Sequence, residues 1–359
     1  MGKYLEIYGS EFQEQFEIAD NQIKRATEEV ARFRLFSLRM WWLLFLEIFL
    51  PRGYPNSVSS DYFEYQIWDT IQAFASSVTA ALATEAVLRG AGIGNENASA
   101  LAATITWLLK DGLGMISRIL FTWLNSASLD ANCKQWRLFA DVLNDVAFSL
   151  DLIAPVFPNF FGIIVCISSV ARSVVGVAGG ATRTTITHHQ AKFNNIADVA
   201  AKDGSQETLV NITALFCNMI ILPLVSGKSL LVWLLYFLFT IVHLFANYRA
   251  VTALQFRTLN QRLLSLIARK FVESGEIYNI CDANRLEPLL PFNRASRHYG
   301  CRISEVFASK QTIRFTQSSY LIAFDEHKDC GYLAVKTDFD RRLELEAAFQ
   351  LEFISCIGK

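Results

Sequence analysis

Acids and bases are missing from two long stretches of this chain. From Leu209 to Gly227, and again from Ser229 to Tyr248, there is no Asp, Glu, Lys or Arg. Each stretch has about the 20 residues that cross a hydrocarbon core as a helix. Charge is low throughout: 19% of the 359 residues are charged and 52% are hydrophobic, against about 25% charged in soluble domains. A net charge of -1 removes the electrostatic reason to expect nucleic acid as a partner. Seven cysteines occur without a CxxC pair, so neither a disulfide framework nor a zinc site is indicated and reduced, mostly buried thiols are expected. The start, MGKYLEIYGSEFQEQFEIAD, has several acids and no early apolar core, and reads as neither a secretory signal nor a transit peptide. Glu6 stands where a myristoylation motif needs Ser or Thr.

Catalytic signatures are also missing. RGAGIGN at Arg89–Asn95 lacks the last glycine of a dinucleotide fingerprint and follows an Ala-rich helix, and GVAGGATR at Gly176–Arg183 lacks the Lys-Ser/Thr end of a P-loop. There is no GxSxG, HExxH or Cys-His grouping. Lys202 could form a Schiff base, but nothing near it makes a phosphate cup, and a flanking charge is the plainer reading. No enzyme, cofactor or metal is expected.

What is there points to a membrane. The two uncharged runs, joined at Ser226-Gly227-Lys228, read as an embedded helical hairpin; buried helices of a large soluble protein are the other reading. Arg249–Val272 holds Arg249, Arg257, Arg262, Arg269 and Lys270 with no acid, and basic excess beside a span marks the cytosolic side. The C-terminal domain is then expected in the cytosol. Upstream, Glu11–Phe36 reads as a charged, solvent-facing helix, Leu35–Leu50 as an apolar segment, Asp61–Leu88 and Asn97–Leu124 as helices. Leu152–Ala171 is a third uncharged run that Pro155 and Pro158 should bend or delay. Near the end, Thr312–Phe324 and Gly331–Lys336 read as strands and Asp338–Phe353 as an amphipathic helix. The expected fold is mainly α, a multi-helix membrane-embedded bundle with a small C-terminal α+β domain. Its parts are an N-terminal charged helix (1–34), a helical membrane domain (35–275) and the tail (285–359).

Polar residues inside the apolar sequence are the candidate site. Asp61, Tyr65, Asp69 and Gln72 share a helix face by spacing. Lys110, Asp111 and Arg118 interrupt the next helix, with Gly114 leaving room for a ligand or a facing helix. In Ala181–Thr208, a helix rich in functional groups is expected, with a stripe of Arg183, Thr187, Gln190, Asn194, Asp198 and Lys202. Buried charges must be paired or reached by water, so Asp111 with Arg118 or Arg183 is either an ion-pair network joining helices or part of a polar path. His189 is either a hydrogen-bonded interior histidine or a proton-transfer group, and His188 is expected exposed. The candidate solute-binding set is Asp69, Gln72, Lys110, Asp111, Arg118, Arg183, His189, Asn194, Asp198 and Lys202. Lys-Asp-Gly at Lys110–Gly112 and again at Lys202–Gly204, each after a Gly-rich turn (Gly90–Gly94, Gly176–Gly180), hints at a repeat, as transporters often carry.

PRGYPNSVSSDYFEYQIWDTIQA (residues 51–73), TWLLKDGLGMISRILF (106–121), KQWRLFADVLND (134–145) and ATRTTITHHQAKFNNIADVAAKDGSQET (181–208) resemble the root UVB sensitive family, over about Leu50–Val272. The resemblance implies links to UV-B responses of seedlings, vitamin B6 homeostasis and auxin transport. It implies no catalytic residues. Two functions stay open: a multi-pass protein that moves or senses a small polar solute, and a scaffold whose C-terminal domain recruits a partner. By the resemblance, that partner would be another family member or an enzyme of pyridoxal phosphate metabolism.

Overall fold

The computed structural model describes residues 2–8, 12–19, 22–25, 38–92, 100–289, 296–308, 313–316, 319–336 and 340–357. The fold is mainly helical and clusters into two compact units, residues 1–82 with 184–243 and residues 83–183 with 244–359.

The first unit opens with strands, not the charged helix expected from Glu11. β1 (Gly2–Tyr8), β2 (Phe12–Ala19) and β3 (Gln22–Arg25) form an antiparallel sheet in sequence order. β-favouring Tyr4, Ile7, Tyr8, Phe12, Phe16 and Ile18 are spread through both segments, and the charges between them disguise the stretch as a polar helix. The register sets Tyr4 opposite Phe16 and Tyr8 opposite Phe12. The remainder of that expected helix, residues 26–36, lies outside the described residues.

Next come α1 (Leu38–Phe49) and α2 (Tyr62–Gly90), joined by a loop with prolines at Pro51 and Pro55. The hairpin reads as expected: α6 (Ile196–Val225) and α7 (Ser229–Ala253) flank a turn in which Gly227 has φ +78°, a left-handed conformation that suits glycine. The polar stretch Ala181–Thr208, however, is not one helix. α5 (Phe161–Gln190) ends inside it and α6 restarts at Ile196. Between them Ala191 makes an isolated bridge with Val58 and Asn194 adopts φ +55°. Asparagine tolerates that conformation best after glycine, so the stripe from Arg183 to Lys202 is cut in two.

In the second unit α3 (Ala100–Leu129) and α4 (Cys133–Ile153) lead into two 3-10 turns at Ala154–Val156 and Pro158–Phe160, after which α5 begins at Phe161. The third uncharged run thus starts late, at its prolines, as expected. Gly176–Gly180, expected as a turn, is inside α5, which removes one support of the repeat. Beyond α7 lie α8 (Gln261–Ser274) and α9 (Ile280–Leu286), each started by an asparagine side chain that accepts a main-chain N–H: Asn260 from Leu263 at 2.9 Å and Asn279 from Asp282 at 2.8 Å. The tail holds β4 (Ser296–Tyr299), α10 (Ile303–Ala308), β5 (Ile313–Thr316), β6 (Tyr320–Asp325), β7 (Cys330–Val335) and α11 (Arg341–Ile357), with sheet order β4-β7-β6-β5 and only β4-β7 parallel. The single strand expected over Thr312–Phe324 is a hairpin, β5 and β6. Ile322, Phe324, Leu333 and Leu351 make this domain's core.

Among the described residues, four helical segments are long and apolar enough to cross a membrane: Tyr62–Gly90, Pro158–Gln190, Ile196–Val225 and Ser229–Ala253. The last two turn large apolar side chains outward and keep polar ones inside. Leu230 is 74% exposed, Phe216 and Ile241 are exposed, while His243 is fully buried and Gln72, Thr79 and Asn218 are buried with it.

Candidate functional site

The break between α5 and α6 organises the polar residues of the first unit. Because Val58 bridges Ala191, the loop before α2 lies against the end of α5: the Ser59 N–H donates to the Gln190 carbonyl at 2.9 Å and the Lys192 N–H to the Ser57 carbonyl at 3.2 Å. Asn195 Nδ2 donates to the same Ser57 oxygen at 3.3 Å. This stitching brings His189 Nε2 to 2.9 Å from Asp61 Oδ2, while the Ser59 hydroxyl donates to Asp61 Oδ1. Asp61 is buried, so its carboxylate is held by an imidazole and a hydroxyl rather than by water. Among the described residues, two buried atoms of the same loop and helix end, Ser57 Oγ and Gln190 Nε2, have no hydrogen-bond partner. His188, as expected, faces outward.

The α6 half of the stripe does different work. Asp198 Oδ2 accepts the Arg52 N–H at 2.8 Å, Lys202 Nζ donates to the Glu47 carbonyl, and Gln206 Nε2 donates to the Phe49 carbonyl at 2.6 Å. The last carbonyls of a helix have no partner within it and carry negative partial charge, so Lys202 and Gln206 close the end of α1. Gln206 Nε2 also reaches the Tyr62 hydroxyl at 3.2 Å. Higher on α2, the Tyr65 hydroxyl donates to Asp69 Oδ1 at 3.3 Å, and Gln72 Nε2 lies 3.0 Å from His243 Nε2 in a fully buried contact. Asn194 is exposed and contributes a backbone conformation rather than a contact to the cluster.

In the second unit Asp111 and Arg118 lie exposed on α3, Arg183 is half-buried, and no ion pair among the described residues joins Asp111 to either arginine. The room left by Gly114 is taken by a facing helix: a Cβ there would stand 2.7 Å from Ser173 Oγ of α5. One turn away, Ser169 Oγ donates to the Lys110 carbonyl at 3.1 Å, and Lys110 Nζ lies 4.6 Å from the Trp107 ring centre.

Three polar clusters in this unit escape sequence reading. Arg172 Nη1 sits 2.7 Å from Asp151 Oδ2. Burial pushes the Asp151 carboxyl up, and Arg172, Ser168 and Lys110 pull the other way. Lys134, fully buried, donates to Asn284 Oδ1 at 2.9 Å and to its carbonyl at 3.2 Å, and lies 3.1 Å from Glu287 Oε2. Glu287 in turn accepts Asn260 Nδ2 at 2.6 Å. In the tail, Arg297 Nε meets Glu352 Oε1 at 3.0 Å, with Ser355 Oγ 2.6 Å from the guanidinium. Each pair is far apart in sequence, and no periodicity links Lys134 to Glu287 or Arg297 to Glu352.

Residues 37–275 match a family described as the vitamin B6 photo-protection and homoeostasis domain. The chain is 44% identical over 248 residues to RUS family member 1 of Dictyostelium discoideum, which covers 68% of this chain and 47% of that protein. It is 39% identical over 250 residues to Protein root UVB sensitive 3 of Arabidopsis thaliana, covering 70% and 57%. To Protein root UVB sensitive 2, chloroplastic, of the same plant it is 28% identical over 299 residues, covering 78% and 66%. The chain spans about half the length of the first two curated relatives, 47% and 57%. No solved structure matches.

Proposed function

The chain belongs to the root UVB sensitive family, linked to vitamin B6 homeostasis, and from that premise we propose a membrane-embedded, non-enzymatic protein that moves or senses a small polar solute. The observation that carries the solute reading is two buried atoms without a partner among the described residues, Ser57 Oγ in the loop before α2 and Gln190 Nε2 next in sequence to His189, whose ring meets Asp61. Buried polar atoms are nearly always satisfied, and an amide donor and a hydroxyl left over at one loop and helix end suit a small molecule with hydroxyl or carbonyl oxygens. Their place at a break between two helices able to cross a membrane resembles the interrupted helices that bind solutes in transporters. The outward-turned apolar side chains of α6 and α7 support embedding, since soluble monomers rarely expose such patches. The basic segment after α7 supports a multi-pass chain with its C-terminal domain in the cytosol.

Calorimetric titration of the detergent-purified chain with pyridoxal, pyridoxine and pyridoxal 5′-phosphate tests this. One vitamer is expected to bind, with at least tenfold weaker binding in Gln190→Leu, a change worth about 1.4 kcal/mol. Absence of binding by all three removes the vitamer reading; binding unchanged in Gln190→Leu removes the site.

A second reading rests on a different observation: Asp198, Lys202 and Gln206 all act on the end of α1 and its following loop. On this reading the polar residues only lock helices, and the tail recruits an enzyme of pyridoxal phosphate metabolism. A chain that binds no vitamer but retains such an enzyme through residues 285–359 would favour it.

A further inference from the structure

We infer that the open groove between α3 and α5 holds one long acyl chain, a lipid tail that fills the space where these helices part. The inference rests on the membrane-embedded reading. The two helices meet tightly at Gly114, against Ser169 and Ser173. Beyond that contact a groove of about 500 Å³ runs between Leu109 and Leu113 on one wall and Cys166 and Ile167 on the other. Gly162 opens its far end, where a Cβ would only touch Thr106 Cγ2 at 3.7 Å.

The lining decides the occupant. Apart from the Thr106 hydroxyl it offers carbon and one sulfur, and a water needs two to four polar partners to stay. An empty groove would forfeit the dispersion contacts of both walls. At about 30 Å³ per water-sized group, the volume takes roughly 16 such groups, the bulk of one fatty acyl chain. The groove is also continuous with an apolar exterior: Leu109 and Ile163, which line it, are 57% and 59% exposed, so a tail lying in it passes directly into the surrounding lipid.

The experiment uses palmitate carrying a diazirine, photolysed with the detergent-purified full chain, and maps the labelled peptides. Labelling is expected to concentrate on residues 106–113 and 162–170, and bound palmitate should slow maleimide alkylation of Cys166 at least fivefold. Gly162→Leu and, at an already exposed wall position, Ile167→Trp should each lower groove labelling about tenfold with unchanged thermal unfolding. Ile167→Trp keeps the test decisive if Gly162→Leu misfolds. Labelling spread evenly over the outward faces of α6 and α7, or unchanged by Ile167→Trp, overturns the groove. Disulfide cross-linking of two copies through Cys166 overturns it as well, by placing a second copy there. The two readings fail separately: release of the protein by carbonate removes embedding, whereas even labelling of protein retained in the pellet removes the groove alone.

Discussion

Asp111 and Lys134 show how differently two charged residues behave under one fold. Asp111, exposed on α3 with no ion pair among the described residues, should tolerate Asp111→Asn with a stability change within about 0.5 kcal/mol, the usual range for surface positions. Lys134 is sealed with Glu287, so Lys134→Met strands a buried carboxylate and should cost about 3–5 kcal/mol. Thermal unfolding in detergent reads both, and a Lys134→Met, Glu287→Leu double variant should recover part of the loss. Equal costs for the two single variants would contradict this placement. Tyr299 gives a pH signature in the tail: burial, then the Glu352 carboxylate beside it, push its hydroxyl up. The ordinary phenol value is about 10. With the folded value higher, the neutral hydroxyl's contribution is complete below about pH 10 and is lost as pH rises through the folded value. Alkaline melts should therefore lose stability less steeply in Tyr299→Phe than in the parent.

At the scale of elements, the break between α5 and α6 is the decisive local event. Asn194 sits at φ +55°, so Asn194→Ala should destabilise by about 1 kcal/mol while Asn194→Gly is neutral or better. Urea melts of the two variants give the order, and the reverse order would deny the left-handed turn a role. The end of α1 depends on α6. Removing the Gln206 amide by Gln206→Leu leaves the Phe49 carbonyl without its partner, a loss of about 1 kcal/mol. Faster hydrogen exchange confined to α1 would report it; unchanged exchange there would mean that the carbonyl finds water instead.

The whole molecule carries the prediction that matters most for function. If the outward leucines and phenylalanines of α6 and α7 face lipid, carbonate extraction leaves the protein in the pellet, and full release would make the helices part of a soluble assembly. A C-terminal tag should be digested by protease added to sealed vesicles whose outer face is cytosolic. Protection that disappears with detergent would reverse the orientation that Arg249, Arg257, Arg262, Arg269 and Lys270 imply.

Length and apolarity were local properties, so the hairpin, its turn at Gly227 and the delayed start of α5 at its prolines could be read directly from residues 152–253. Family membership was legible for the same reason, in continuous motifs. The helix expected from Glu11 gives way to strands over 12–19 and 22–25, and the single strand expected over Thr312–Phe324 divides into β5 and β6, because pairing between strands is not a local property. What only the tertiary structure decided was partnership. Asp111 does not pair with Arg118 or Arg183, Lys202 closes a helix end 155 residues away, and Lys134 meets Glu287, because burial and hydrogen bonding act between residues brought together by folding. A stripe drawn from Arg183 to Lys202 assumed one helix. It failed where Ala191 turned to Val58, a contact that no spacing in the sequence records.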